Sequence, residues 1–166
     1  LLAGILFNII DPRKVDSSDF MLIAWYPSQE LLTTGSVYSG YPYPLWTIIV
    51  MLPFTIWTPP ISIILWFICN LLMLAASLVL FIFLFDWEIS PILFSLAVLL
   101  PVFFLPVLTS IWLGQLTIFS LLILALTAHL FLHQRWTWLG IVLGLSFIKP
   151  QVMILLAGLL LLWALC

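Results

Sequence analysis

Two carboxylates three positions apart are the first candidates for chemistry, because Asp16 and Asp19 would share one face of a helical turn. They lie in the polar stretch of residues 11–43, ahead of a long apolar region. One role is helix N-capping, since Asp is a preferred cap and stabilises a helix start by about 1 kcal/mol. The other is a general base, which needs only a carboxylate within hydrogen-bond reach of an acceptor hydroxyl. The spacing leaves both roles open.

Lys149 is the second candidate. It follows Arg135 by fourteen positions, about 21 Å along a helix, which predicts a depth of about two-thirds of a ~30 Å membrane core. A cation at that depth costs about 2.5–3.5 kcal/mol on insertion scales. Lys149 therefore either snorkels to the interface or serves an anionic partner, and a phosphate at the membrane surface would fit.

Three further polar side chains interrupt the apolar region. Gln115 follows Gly114 between two apolar runs, where an amide holds helices together or lines a hydrated cavity. His129 and His133 would share a helix face, but no HExxH pattern and no third ligand accompany them. We interpret them as an interfacial helix end. The two cysteines have no ligand-like spacing, so the sequence indicates no metal and no cofactor, although a divalent cation stays open.

The elements that must position these residues are membrane helices. Hydrophobic residues make up 66% of the chain and charged residues 6%, and mean hydropathy is +1.36. No soluble fold could cover that much apolar surface, and no charge occurs in residues 31–85 or 89–134. A backbone in lipid must satisfy its own hydrogen bonds, which predicts an all-α fold, a polytopic transmembrane helical bundle. A net charge of -2 without a basic patch argues against a nucleic-acid partner.

The segments follow a simple order. We expect one transmembrane domain over residues 1–166, with the end of a first helix at 1–10 and a polar loop with a short amphipathic helix at 11–43. Membrane helices follow over residues 44–166. The apolar runs are 45–57, 61–85, 91–113, 116–133, 136–148 and 152–166. Both chain ends lie inside apolar runs, so we expect a fragment.

Prolines are expected to shape these helices. Pro27 should break the amphipathic helix of residues 16–32, which Gly35 should stop, and Pro53 should interrupt the run 45–57. The run 91–113 contains two prolines and should be buried in the bundle or line a cavity, where neighbouring protein satisfies the freed carbonyls.

The number of membrane crossings decides whether Asp19, Gln115 and Lys149 can belong to one site. If every apolar run crosses once, Gln115 and Lys149 end on the side opposite Asp19. One run must then fail to cross, and residues 45–57 or 91–113 are the natural re-entrant segment. Four basic residues in three places do not fix the orientation.

Several short motifs occur in a recognisable order along most of the chain. The first are Asp19-Phe20, the stretch 31–38, Tyr43-Pro44-Leu45, Leu52-Pro53, Trp66 and Asn70-Leu71-Leu72. The later ones are Gly114-Gln115-Leu116-Thr117, the glycine-containing stretch 139–145 and Lys149-Pro150. Each is degenerate, but their order and spacing together resemble the polyprenol-phosphate-mannose-dependent mannosyltransferases of glycosyltransferase family 87.

The resemblance implies a GT-C fold, in which the first long loop carries a catalytic Asp and faces away from the cytoplasm. Asp19 matches that position, with Asp16 as the fallback, and Tyr43, Gln115 and Lys149 become substrate-binding candidates. The implied protein is a multi-pass plasma-membrane enzyme of glycolipid biosynthesis. It would transfer a hexose, by family habit mannose, from a polyprenyl-phosphate donor to a lipid or glycan acceptor, with inversion.

Two departures from the family pattern stand out. The chain has Tyr43-Pro44-Leu45 where the family usually has Tyr-Pro-Pro, and Asp86 and Glu88 where basic residues often follow the long third helix. As a fragment, the chain is expected to be inactive alone, because later helices would complete the donor pocket.

Two other classes fit the same residues. In a transporter or channel subunit, the Gly114-Gln115 break and the prolines would mark broken helices around a solute, and Lys149 would bind an anion. Repeated halves would favour that class, and the sequence shows none. In a non-catalytic scaffold the charged first loop would be surface only.

Overall fold

The computed structural model describes residues 18–37 and 41–149, together with positions 154 and 158. These residues form helices and no β-strand, which confirms the all-α prediction for the described part of the chain. A π-helical turn at Met21–Trp25 leads into the first α-helix. The helices are α1 (Tyr26–Thr34), α2 (Trp46–Thr55), α3 (Pro59–Leu84), α4 (Pro91–Leu99), α5 (Leu105–Trp112), α6 (Thr117–Leu132) and α7 (Trp136–Ser146), with a 3-10 turn at Leu100–Phe103 between α4 and α5. Asp16 and the predicted helix end at residues 1–10 lie outside the described residues.

Proline marks where helices begin rather than where they fail. Four of the seven helices have a proline at the first or second position: Pro27 in α1, Pro59 in α3, Pro91 in α4 and Pro106 in α5. The first N–H groups of a helix have no intrahelical partner, so proline loses nothing at the starts of α3, α4 and α5. At α4, Ser90 adds a cap, because its Oγ accepts from the Leu93 N–H at 3.3 Å.

The expectation that Pro27 breaks the amphipathic helix was wrong. Helical backbone runs from Asp19 to Thr34, and the π-helical turn directly before α1 makes Pro27 a helix-start residue. The predicted stop is confirmed, since Gly35 is left-handed (φ 72°) and its N–H bonds the Leu31 carbonyl. A positive φ suits glycine because it has no Cβ.

Pro53 does not interrupt its run either. It lies inside α2, which ends two residues later at Thr55. The helix has ten residues, about 15 Å of length, which is half of a ~30 Å membrane core. Of the two runs proposed not to cross, residues 45–57 therefore contain a helix that is too short to do so.

The run 91–113 is broken but not buried. It forms α4, the 3-10 turn and α5, and only Ile111 among its described side chains is buried. Burial, the first of the two alternatives expected for this run, is therefore not found in the described part of the chain, whereas Ile111 and Trp112 at its end line a small cavity. The 3-10 turn at Pro101 and the helix start at Pro106 accommodate the missing N–H groups locally, so protein cover is not required for that purpose.

α3 is the one described helix that is long and apolar enough to cross a membrane by itself. It has 26 residues, about 39 Å, and only 22% of its most apolar window is buried. A soluble core helix would be mostly covered, so the exposed apolar surface suits lipid. α5 and α6 pass the same test only as a pair, and the chain bends by 114° between them.

The chain divides into two compact units. The first contains residues 18–37, 41–69 and 111–115. In it, α2 packs against the π-helical turn and α1 around buried Met21, Ile48 and Met51. Two side chains of the helical segment bond the far end of α2, since Gln29 Nε2 donates to the Thr55 carbonyl at 2.6 Å and Trp25 Nε1 to the Trp57 carbonyl at 3.1 Å. These bonds fix the polar loop to α2.

The second unit contains residues 70–110 and 116–149. Its main contact is the hairpin of α6 and α7. The buried hydroxyls of Ser77, Ser120 and Thr127 each donate to a carbonyl four residues earlier in their own helix, at 2.7–3.1 Å. These three hydroxyls are thus satisfied by nearby backbone carbonyls.

Candidate active site

Asp19 lies in the first turn of the helical segment, and Ser18 caps that turn. Ser18 Oγ accepts from the Met21 N–H at 3.3 Å, the bond that an N-cap side chain makes. The capping role considered for Asp19 is therefore filled by its neighbour. Asp19 itself is half-buried, at a helix start whose dipole favours negative charge.

Phe20 anchors Asp19 from the other side. Its side chain is 2% exposed and its ring stacks on Trp66 of α3, with centroids 5.8 Å apart and planes 22° apart. Trp66 is also 2% exposed and meets Phe54 edge to face at 5.2 Å. A buried aromatic group of this kind has few alternative rotamers, so the backbone that carries Asp19 is held firmly.

The turn after α5 closes on the same aromatic group. Gly114 has φ 68°, and a Cβ there would lie 2.7 Å from Phe20 Cβ and 3.4 Å from Trp66 Cδ1. Trp66 Nε1 donates to the Gly114 carbonyl at 2.9 Å. Gly114 therefore meets two requirements that only glycine satisfies without strain, a left-handed backbone and direct contact with another backbone segment. Gln115, half-buried in the same unit, follows directly.

This contact brings the backbone next to Gln115 close to the backbone next to Asp19, within one unit. Gly114 touches Phe20, and Asp19 and Gln115 are the immediate chain neighbours of those two residues. The condition set by the sequence, that one run between them must fail to cross, is compatible with the short α2.

Tyr43 is the third member of this group. Burial raises the pKa of the Tyr43 hydroxyl above its usual 10.0, and the negative charge of Asp19 raises it further. The phenol therefore stays neutral at physiological pH and keeps a hydrogen to donate near the carboxylate. The structure thus brings Asp19, Tyr43 and Gln115 into one unit.

Tyr41 has a structural role that the sequence did not reveal. Its hydroxyl donates to the Ile23 carbonyl at 2.8 Å. In a regular helix that carbonyl would bond the N–H of residue 27, and Pro27 has none. A signal was available in the sequence, since each proline after a helical turn leaves a carbonyl that needs another donor, but the donor's identity depends on the tertiary fold.

The hollow beside this group is small. Ser18, Phe20, Trp66 and Gly114 contribute to the lining of a cavity of about 20 Å³ in the first unit, together with apolar side chains of α3 and α5. That volume holds about one water molecule. A sugar could not enter a cavity of that size.

Lys149 belongs to the second unit. The α7 helix ends at Ser146, and the Lys149 ammonium donates to Thr117 Oγ1 at 2.7 Å, at the first residue of α6. The lysine is half-buried beside a hydroxyl, which differs from a side chain that extends freely to the interface.

His129 and His133 lie together at the end of α6, with ring centroids 4.3 Å apart and planes inclined by 58°. In the described ranges no three His, Cys, Asp or Glu side chains come close enough together to hold a metal ion. The structure therefore offers no ligand set with which these two histidines could complete a site there.

Fold and site together define a class: a helical membrane protein in which a half-buried aspartate, Asp19, directly precedes the buried aromatic pair of Phe20 and Trp66. The model of glycosyltransferase family 87 matches residues 41–166, most of the chain. The protein belongs to glycosyltransferase family 87 and is a membrane glycosyltransferase, a class that requires a sugar donor and an acceptor. No curated protein and no solved structure matches the chain. The match favours the enzyme class over the transporter class. Asp19 lies ahead of the matched residues.

Proposed function

We propose that the protein transfers a hexose, specifically mannose, from a polyprenyl-phosphate donor to a lipid or glycan acceptor. The proposal includes GT-C architecture, a multi-pass topology in the plasma membrane and an extracytoplasmic loop at Asp19. Family membership supports the transfer of a sugar. The observation that carries the proposed mechanism is the packing of Phe20 against Gly114 and Trp66, because it holds the backbone next to Asp19 beside the turn that precedes Gln115.

Asp19 is the proposed general base. It takes the proton of the acceptor hydroxyl while the acceptor oxygen bonds to the anomeric carbon, and the bond from that carbon to the donor phosphate breaks on the opposite face. The configuration inverts because a single displacement occurs. The polyprenyl phosphate leaves already anionic, so no second carboxylate is needed as general acid, in contrast to glycoside hydrolysis. Asp16 is the fallback for the same role.

Three structural features support Asp19 for this role. Ser18 caps the helix, so the carboxylate is not consumed as a cap. Phe20 is buried, so the backbone that carries Asp19 is held in place before substrate binds. Asp19 is half-buried, which leaves it accessible to an acceptor while neighbouring protein restricts water.

Tyr43 is the proposed donor to the acceptor or to the Asp19 carboxylate. Burial and the nearby negative charge raise the pKa of its hydroxyl, so it remains a hydrogen-bond donor at working pH. Gln115 is the proposed amide contact to the sugar. Its place after the Gly114 turn fixes its backbone near the same residues.

Lys149 is the proposed cation for the leaving phosphate. An ammonium aimed at developing negative charge stabilises a transition state more strongly where water is excluded. Its bond to Thr117 Oγ1 holds the ammonium at the start of α6.

The test uses the complete product of the gene in isolated membranes, with a radiolabelled polyprenyl-phosphate mannose as donor. Asp19→Asn should lower the rate of mannose transfer by about 10²–10⁴-fold, because the amide cannot accept the proton. The matched control is Asp86→Asn, at an exposed turn residue with φ 47°, a conformation that Asn tolerates. It should leave the rate near that of the wild type.

Asp16→Asn and the double variant complete the series. If Asp16→Asn alone abolishes transfer, the fallback residue is the base. Full activity in the double variant would refute a carboxylate base in this loop. A parallel assay with polyprenyl-phosphate glucose separates the donor proposal from the mechanism, because loss of activity in Asp19→Asn is expected with whichever sugar the enzyme uses.

A further inference from the structure

A second polar site lies at the turn between α6 and α7. The proposed reaction does not use this site. A cleft of about 430 Å³ opens there, within the size range of small-molecule sites. Its described lining consists of His129, Leu130, His133, Arg135 and Trp138. The turn is ordered by backbone bonds, since the Arg135 N–H donates to the Leu130 carbonyl at 2.9 Å.

The cleft collects hydrogen-bond donors that suit an anion. The rings of His129 and His133 lie 4.3 Å apart, and Arg135 adds a guanidinium two positions later. A neutral imidazole donates one ring N–H, and a guanidinium donates five in a planar fork that matches phosphate oxygens. None of the five described lining residues is acidic, so no carboxylate at the cleft competes for these donors.

The surroundings indicate that the anion belongs to a lipid. The cleft lies at the end of two apolar helices of a membrane glycosyltransferase, and Trp136 and Trp138 are 51% and 62% exposed beside it. Exposed tryptophans in membrane proteins lie at the depth of the lipid headgroups. Phosphate groups of anionic lipids occupy the same depth and attract basic side chains there.

We propose that the cleft formed by His129, His133 and Arg135 binds the phosphate group of an anionic membrane lipid. The guanidinium forms paired hydrogen bonds with two phosphate oxygens, and the imidazoles donate to the phosphate from the α6 side. Trp138 packs against the glycerol and the start of the acyl chains. This site is separate from the transfer chemistry and does not depend on it.

The test measures lipid retention by the complete gene product in nanodiscs of phosphatidylcholine with a minor fraction of phosphatidylglycerol. Native mass spectrometry after release counts the phosphatidylglycerol molecules that stay bound. Arg135→Gln should reduce their retention about fivefold, the effect of one cation near a membrane surface. Arg135→Lys keeps the charge but not the fork, and should give an intermediate value. His129→Phe with His133→Phe removes both ring N–H donors and should also reduce retention.

The matched control is Gln134→Asn in the same turn. Gln134 is exposed, has φ 55° and does not line the cleft, and Asn tolerates that backbone. It should retain lipid as the wild type does. Circular dichroism of each variant checks folding, and the lysine and histidine variants remain informative if Arg135→Gln does not fold.

Two outcomes would overturn the proposal. Unchanged retention in the arginine and histidine variants would mean that Arg135 only extends to the interface. Saturable binding of inorganic phosphate in pure phosphatidylcholine discs, lost in Arg135→Gln while phosphatidylglycerol retention stays the same, would assign the cleft to a soluble phosphate instead.

Discussion

Gly114→Ala tests the contact on which the candidate active site depends. Gly114 has a left-handed backbone with φ 68°, where a side chain adds strain of about 1–2 kcal/mol. The new Cβ would also lie 2.7 Å from Phe20 Cβ, an atom fixed to the backbone that cannot rotate away. Overpacking of this kind costs about 1–3 kcal/mol. The expected loss of stability is therefore about 2–5 kcal/mol in total.

Two other glycines separate these contributions. Gly35 has φ 72° and open space where a Cβ would lie, so Gly35→Ala carries the strain alone and should cost about 1–2 kcal/mol. Gly140 lies inside α7 with neither strain nor overlap, so Gly140→Ala should not destabilise the protein. The difference between the variants at positions 114 and 35 isolates the overlap with Phe20.

The assay is unfolding in detergent micelles, followed by circular dichroism, together with the rate of sugar transfer. A shift of Phe20 moves Asp19, and a displacement of about 1 Å at a reacting group lowers a rate about 100-fold. Gly114→Ala should therefore lose activity even under conditions where it is folded, whereas Gly35→Ala should retain it. Equal destabilisation at positions 114 and 35 would refute the close approach of the Gly114 turn to Phe20.

Two further predictions concern the tyrosines of the loop. Tyr41→Phe should destabilise the protein by about 1 kcal/mol, because the Ile23 carbonyl loses the Tyr41 hydroxyl as its donor. Pro27→Ala supplies a backbone N–H for that carbonyl, so Tyr41→Phe should cost less in the Pro27→Ala variant. An equal cost with and without Pro27 would contradict the proline explanation. Tyr43 should ionise above pH 10.0, so the stability that its protonated form contributes is present below that pH and is lost as pH rises through its higher folded pKa. The difference in tyrosinate absorbance between the wild type and Tyr43→Phe measures the pH midpoint of Tyr43 ionisation. Asp19→Asn should lower this midpoint without removing the whole shift, since burial is the larger cause. An unaltered midpoint would exclude the electrostatic interaction between Asp19 and Tyr43.

Much of the helical structure was predictable because it depends on local rules. The run 61–85 became α3 at Pro59–Leu84, and the run 116–133 became α6 at Thr117–Leu132. Gly35 ended its helix as expected. The errors concerned Pro27 and Pro53, which were read as breaks. Whether a proline breaks a helix or begins one depends on the turn before it and on donors from elsewhere, and those are not local properties.

The site was predictable only in part. Asp19, Tyr43 and Gln115 were selected as single residues, and the structure brings them into one unit. The roles of Ser18 as cap and of Phe20 as anchor were not foreseen. A serine before an aspartate is a common cap pattern, so Ser18 could have been found from the sequence. The contact between Phe20 and Gly114 could not, because these residues are far apart along the chain.

The sequence by itself determined that this protein is a helical membrane protein of glycosyltransferase family 87. In lipid each segment must satisfy its own backbone hydrogen bonds, so an apolar run of sufficient length has to become a helix. Only the tertiary structure decided which residues stand beside Asp19. Apolar side chains are as well solvated by lipid as by protein, so helix contacts depend on close packing, such as the bare backbone of Gly114 against Phe20, and not on hydrophobicity.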